Sequence, residues 1–203
     1  STDYYFNSSY EYDGSSWGSP ATFTAPGFRV NLFGTQTAAV IGGGARPGEP
    51  YIRVFEYNGS SWTAGNNLPV GRNGASGSGT LTAAILYGGA NPSQSPAYLT
   101  SSKEYDGTNW TAGGTMVQAF EGGNGTIGGT QDAALAMRGY NGTATTAATQ
   151  QYNGTNWATD VTAATAVDSL RTGCGTASAA LSAGGSPSAV EEYAGGSTSV
   201  NVK

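Results

Sequence analysis

The sequence predicts an all-β fold built from tandem repeats, and three observations predict it. A Tyr-Asx-Gly-Xaa-Xaa-Trp segment returns at a nearly constant spacing, a Gly-Thr-Xaa-Xaa-Ala-Ala segment returns with it, and the stretches between are short, β-branched or aromatic, and broken by Gly. The chain has 203 residues, enough to bury one sizeable core. Gly supplies 33 residues and charged residues only 10%. Such a composition resembles a disordered linker, but four Trp and twelve Tyr placed largely in register argue for packing.

The first repeated element is an aromatic hairpin. Tyr12-Asp-Gly-Ser-Ser-Trp17 returns as Tyr57-Asn-Gly-Ser-Ser-Trp62, Tyr105-Asp-Gly-Thr-Asn-Trp110 and Tyr152-Asn-Gly-Thr-Asn-Trp157, with Trp spacings of 45, 48 and 47. Asx-Gly after an aromatic run signals a hairpin, because both residues tolerate positive φ in a tight turn. The preceding segments, such as residues 51–57, carry strand-forming residues, and each Trp opens the returning strand. Tyr193 begins a fifth copy that lacks its Trp.

The second element is the small-residue block Gly34-Thr-Gln-Thr-Ala-Ala-Val-Ile, matched at Gly79, Gly129 and Gly175. Its short length and flanking Gly favour a strand over a helix, and its small side chains suit a crowded axis where sheets converge. A further strand is expected upstream of each block, over residues 28–33, 73–78, 117–122 and 171–175. Each repeat of about 47 residues then supplies four short strands, and one such sheet buries its faces only by stacking on its neighbours. Radial stacking gives a β-propeller and linear stacking a solenoid. The expected fold is a small β-propeller of four or five four-stranded blades in one domain. Its repeats run near 12–56, 57–104, 105–151 and 152–193, and segments 1–11 and 194–203 are expected to help close the ring.

Composition narrows the chemistry. His is absent and Cys174 is the single cysteine, which removes an intramolecular disulfide, most zinc sites and His-based nucleophilic catalysis. The formal net charge is −5, and the eight basic residues are scattered, which disfavours nucleic acid as a partner. The sequence lacks a run of eighteen apolar residues, so membrane insertion is not expected. Asp13, Asp106 and Asp132 are too isolated to suggest a calcium site, and Gly122–Thr126 lacks the context of a phosphate loop. No enzyme activity, cofactor or metal is expected.

The ordered features (an apolar strand ending in Gly42-Gly43 or Gly88-Gly89, then Tyr57 or Tyr105, then Trp62 or Trp110) resemble the Kelch repeat. The third repeat departs from it, with Arg138-Gly139 in place of Gly-Gly. The stretch Glu104–Gly114 also resembles the Gly/Thr/Ala-rich repeats of structural proteins of marine, cyanobacterial phages. That resemblance implies a non-enzymatic virion component, a fibre, tail or decoration protein at the particle surface. Its partners would be other virion proteins or host cell-surface glycans, with oligomerisation inside the particle. A free carbohydrate-binding lectin is the alternative.

Candidate ligand residues follow from position. Arg29, Arg72 and Arg171 precede the Gly-Thr of their repeats and Glu121 stands in the comparable stretch of the third, where they would ring a central channel. Hydrogen bonding to carbonyls between blades, and to one another, is the competing role for them. Trp17, Trp62, Trp110 and Trp157, with Tyr12, Tyr57, Tyr105 and Tyr152, are expected to pack blade on blade rather than stack on sugars. Residues that interrupt the pattern are the better recognition candidates: Arg46 and Glu49 in segment 45–50, and Asn91 and Gln94 in the insertion 90–97.

Overall fold

A computed structural model describes residues 6–27, 29–46, 49–50, 52–122, 124–125, 129–164, 166, 171–184, 189–195 and 200–201. Sixteen strands form four four-stranded antiparallel sheets, each a meander in chain order except where a short ribbon intervenes. The first sheet contains β3 (Asn31–Thr35), β4 (Ala38–Gly42), β7 (Val54–Tyr57) and β8 (Trp62–Ala64). The second contains β9 (Ser76–Thr80), β10 (Ala83–Tyr87), β11 (Ser101–Tyr105) and β12 (Trp110–Thr115). The third contains β13 (Asn124–Gly125), β14 (Leu135–Tyr140), β15 (Thr145–Tyr152) and β16 (Trp157–Asp160). The fourth contains β17 (Arg171–Gly175), β18 (Ala179–Gly184), β19 (Ala189–Ala194) and β20 (Val200–Asn201). Two ribbons complete the set: β1 (Phe6–Ser9) with β2 (Ala21–Gly27), and β5 (Ala45–Arg46) with β6 (Glu49–Pro50).

The period of the sequence becomes the period of the sheets, with a shifted boundary. Each sheet begins upstream of an Ala-Ala block and ends with the Tyr–Trp hairpin that follows it, so the Tyr12–Trp17 hairpin precedes the first sheet. The last sheet fills its fourth place with β20, which pairs with β19, while β1 pairs with β2. Among the described residues, no strand is exchanged between the first and last sheets, and β1 and β20 pair with their sequence neighbours where ring-closing strands were expected. Register is kept from sheet to sheet: the second Ala of the block faces the repeated Tyr as Ala39↔Tyr57, Ala84↔Tyr105 and Ala180↔Tyr193, and Tyr152 N–H donates to Ala134 O in the third.

Three local expectations need correction. The Ala-Ala strand lies second in each sheet and is buried along its length in the first three, which accounts for its unbroken apolar run there. The strand before it makes contacts from sheet to sheet, β3 meeting β9, and β9 and β17 both meeting β13. In the third sheet that strand lies at 124–125, beyond the expected 117–122, where Glu121 forms only an isolated bridge to Tyr140. The hairpin turn also works differently. Gly14, Gly59, Gly107 and Gly154 take positive φ, but the Asx before each acts through its side chain. Asp106 Oδ1 accepts the N–H groups of Thr108 and Asn109 at 2.8 and 2.7 Å, and Asp13, Asn58 and Asn153 do the same in their turns.

The core is divided among the sheet junctions. Phe33, Val40 and Val54 of the first sheet pack on Ala84, Leu86 and Tyr105 of the second. Ile85 and Tyr87 of the second meet Ala136, Tyr152 and Trp157 of the third, and Leu135 and Met137 of the third meet Ala180 and Tyr193 of the fourth. Phe23 of β2 covers Ile41 and Phe55. Alternation along each strand sends neighbouring residues to opposite junctions, so every interior sheet is apolar on both faces.

Candidate functional site

The most organised polar chemistry lies at these junctions. The residue just before the repeated Tyr is Glu11, Glu56, Glu104, Gln151 or Glu192. Adjacent strand residues point to opposite faces, so a Tyr aimed at the preceding sheet puts its Glu neighbour toward the following one. The pairs then meet between sheets. Tyr57 donates to Glu11 Oε1 at 2.6 Å, Tyr105 donates to Glu56, and Tyr152 donates to Glu104 Oε1 at 2.5 Å. At the last junction Gln151 donates to the Tyr193 hydroxyl, and that hydroxyl turns its own proton to Asp160. An amide replaces the carboxylate there, and a nearby Asp takes over the accepting role.

These contacts shift the phenols upward. For Tyr57 the hydrogen bond to Glu11 is the main cause, and for Tyr105 and Tyr152 burial leads, followed by the hydrogen bond to Glu56 or Glu104. A second fastening lies beside each latch. Trp62 Nε1 donates to Ser9 Oγ at 2.8 Å, Trp110 Nε1 to Asn66 O at 3.0 Å, and Trp157 Nε1 to Ser102 Oγ at 3.4 Å. Each Trp ring lies against its own Tyr, as in the Tyr105–Trp110 stack at 4.6 Å. A third fastening comes from Gln of the Gly-Thr block, where Gln36 donates to Tyr12 O and Gln131 donates to Tyr105 O.

The residues singled out by position fall into different settings. Arg29, at φ 52°, pairs through Nη1 with Glu121 Oε1 at 3.0 Å, joining a residue before the first sheet to one beside the third. Arg72 is fully buried, and its guanidinium donates to Gly88 O, Ser101 O and Ser101 Oγ at 2.9–3.1 Å. Burial lowers its pKa to about 10. Arg171 lies in β17, and Arg46 and Glu49 face each other across the β5–β6 ribbon, but the side chains of these three lie outside the described residues. Asn91 is buried, with Nδ2 on Gly71 O and Oδ1 accepting Ser93 N–H, both at 2.9 Å. Gln94 is exposed at the tip of that loop, its N–H donating to Asn91 O. Trp62, Trp110 and Trp157 are held between sheets, whereas Trp17 is 70% exposed.

Arg138 and Glu191 were not among the sequence candidates. Arg138 occupies the place held by Gly43, Gly88 and Gly184 in the other sheets, and it keeps their positive φ at 55°. A left-handed conformation at a residue bearing a Cβ costs about 1–2 kcal/mol. The side chain is nonetheless fully buried, with Nη2 at 2.6 Å from Glu191 Oε2 across the third junction. Among the described residues, Arg138 Nε and Nη1 and Glu191 Oε1 find no hydrogen-bond partner, while Glu191 Oε2 also accepts the Ala164 N–H at 3.0 Å. Burial lowers the Arg138 pKa, and Glu191 opposes the shift. The visible signal was Arg138-Gly139 breaking the Gly-Gly rule; its acidic partner lies 53 residues on and carried none.

Two grooves open between units. One, of about 650 Å³, lies beside the first hairpin and is lined by Tyr10, Glu11, Tyr12, Leu32, Gln36 and Trp62 among others. The other, of about 530 Å³, lies between the third and fourth sheets beside Thr130, Gln151, Asp160 and Ser178. Among the described residues, no three His, Cys, Asp or Glu side chains gather closely enough to hold a metal ion, and Cys174 is exposed. Comparison with known proteins gives no match to any family model and none to a curated protein.

Proposed function

We propose that this chain is a non-enzymatic structural or adhesion protein of a phage particle, a small β-propeller that carries irregular loops on a rigid frame. One observation carries the reading: the polar side chains that recur along the sequence are spent on joining sheet to sheet through Tyr–carboxylate, Trp and Gln fastenings. A frame fastened this way holds its loops in fixed relative positions, as a surface-recognition module requires. The radial arrangement is supported by the contacts among β3, β9, β13 and β17 and by the Arg29–Glu121 pair, which reaches past the intervening second sheet. In this arrangement the four sheets are blades, and the Tyr12–Trp17 hairpin with β1 and β2 holds the position before the first blade. The setting is the virion surface or the extracellular space, and the partners are other virion proteins or host glycans.

Immunogold labelling of purified particles with an antibody to the chain tests the assignment. Label at a particle surface is expected; unlabelled particles, with the chain recovered only from cell lysate, would contradict it. A density map with sheets in a straight stack would remove the propeller. A free lectin is the second reading, favoured by the 650 Å³ groove in which exposed Tyr10 and Tyr12 lie beside Glu11 and Gln36. A glycan array without a single binder would end it.

A further inference from the structure

The two ends of the array carry opposite halves of the junction that the interior repeats. In the first three sheets, the residue after the second Ala of the block (Val40, Ile85 or Leu135) is buried under the next sheet, and so is the residue three before the repeated Tyr (Val54, Ser102 or Thr149). In the fourth sheet the same two positions hold Leu181 and Val190, each 37% exposed. Between them stands exposed Glu192, whose counterparts Glu56 and Glu104 receive the hydroxyl of the following sheet's Tyr. The missing half lies at the other end. Tyr12 is exposed, Trp17 is 70% exposed, and their rings form the same Tyr–Trp pair, at 5.2 Å, that elsewhere enters a preceding sheet. The hairpin's other side is already in use, since Glu11 accepts from Tyr57 and Tyr12 O accepts from Gln36.

We propose that a second copy of this chain fills each bare face, head to tail, with the Tyr12–Trp17 hairpin of one copy on the Leu181–Val190–Glu192 face of another. The occupant follows from chemistry present in the same molecule. The hydroxyl of Tyr12 meets the carboxylate of Glu192, and the indole of Trp17 covers the two aliphatic side chains, as at the interior junctions. Such a contact is heterologous: it uses two different patches, so it propagates into a ring or a helical filament according to the rotation per copy.

Sedimentation velocity over a wide concentration range tests it, with Trp17→Ala and Leu181→Asp as variants and circular dichroism to verify that both fold. The wild-type chain is expected to associate with rising concentration, and each variant alone to remain monomeric. Mixed in equal amounts, the variants retain one good face each and are expected to form a one-to-one dimer that grows no further. A wild-type chain that stays monomeric at every concentration would overturn the proposal, including one with Trp17 fluorescence protected from quencher, which would mean closure onto its own fourth sheet. Undiminished association of both variants, or no dimer in the mixture, would overturn it equally.

Discussion

Trp17 and Trp157 close the same six-residue turn, each against its own Tyr, yet one is 70% exposed and the other 6%. The turn chemistry is local and identical in kind: an Asx oxygen caps two backbone N–H groups, Gly takes the positive φ, and the rings pair. What differs is the sheet in front. Trp157 enters the second sheet beside Tyr87 and Ser102, while Trp17 has no described sheet before it. The local sequence therefore builds the hairpin, and the junction supplies most of its energy. Unequal consequences for equal substitutions follow.

The largest effects are expected at filled junctions. Trp157→Ala opens a cavity between the second and third sheets and should cost about 3–5 kcal/mol in urea unfolding. Arg138→Gly restores the residue type of the other sheets and relieves the backbone, yet it leaves the Glu191 carboxylate buried without its cation. A net loss of about 3–5 kcal/mol is expected. Adding Glu191→Gln should recover most of that loss; if it recovers none, the pair is not what holds the third junction. Tyr105→Phe removes the hydroxyl from Glu56 and should cost about 1–3 kcal/mol.

The pH response sharpens the same comparison. Tyr57, Tyr105 and Tyr152 all have pKa values raised above the ordinary 10.0, so the folded chain holds these phenol protons more tightly than the unfolded chain does. Their contribution is fully present below pH 10.0 and is lost as pH rises toward the folded values. Stability should fall on the alkaline side, with phenolate absorbance from these three appearing together with unfolding. Ionisation of all the tyrosines in a chain that stays folded would contradict the latch. The smallest effect is expected from Trp17→Ala, which should change the unfolding of a dilute, monomeric sample by less than about 0.5 kcal/mol.

Much of the frame was legible in the sequence because its signals are periodic. The Tyr-Asx-Gly-Xaa-Xaa-Trp turn, the Ala-Ala strand and four strands per repeat each follow from local chemistry that recurs, and recurrence exposes it. The latch leaves its trace in the sequence too, since Glu11, Glu56 and Glu104 each precede a repeated Tyr. Its pairing is not legible there, because which Glu meets which Tyr depends on the stacking order, which no single repeat contains. The Arg138–Glu191 pair is harder still, since its members come from different sheets and neither recurs. Arg72 takes the carbonyl-binding role that competed with a channel ligand for the recurring Arg, since it is buried and donates to Gly88 O and Ser101 O.

The central claim is that the Tyr–carboxylate contact between consecutive sheets is an energetic coupling. A double-mutant cycle on Glu104→Ala and Tyr152→Phe measures it most directly, because the two residues belong to different sheets and their hydrogen bond spans 2.5 Å. A coupling energy of about 1.5–3 kcal/mol is expected, the range for a hydrogen bond to a charged group. Two losses that simply add would contradict the account.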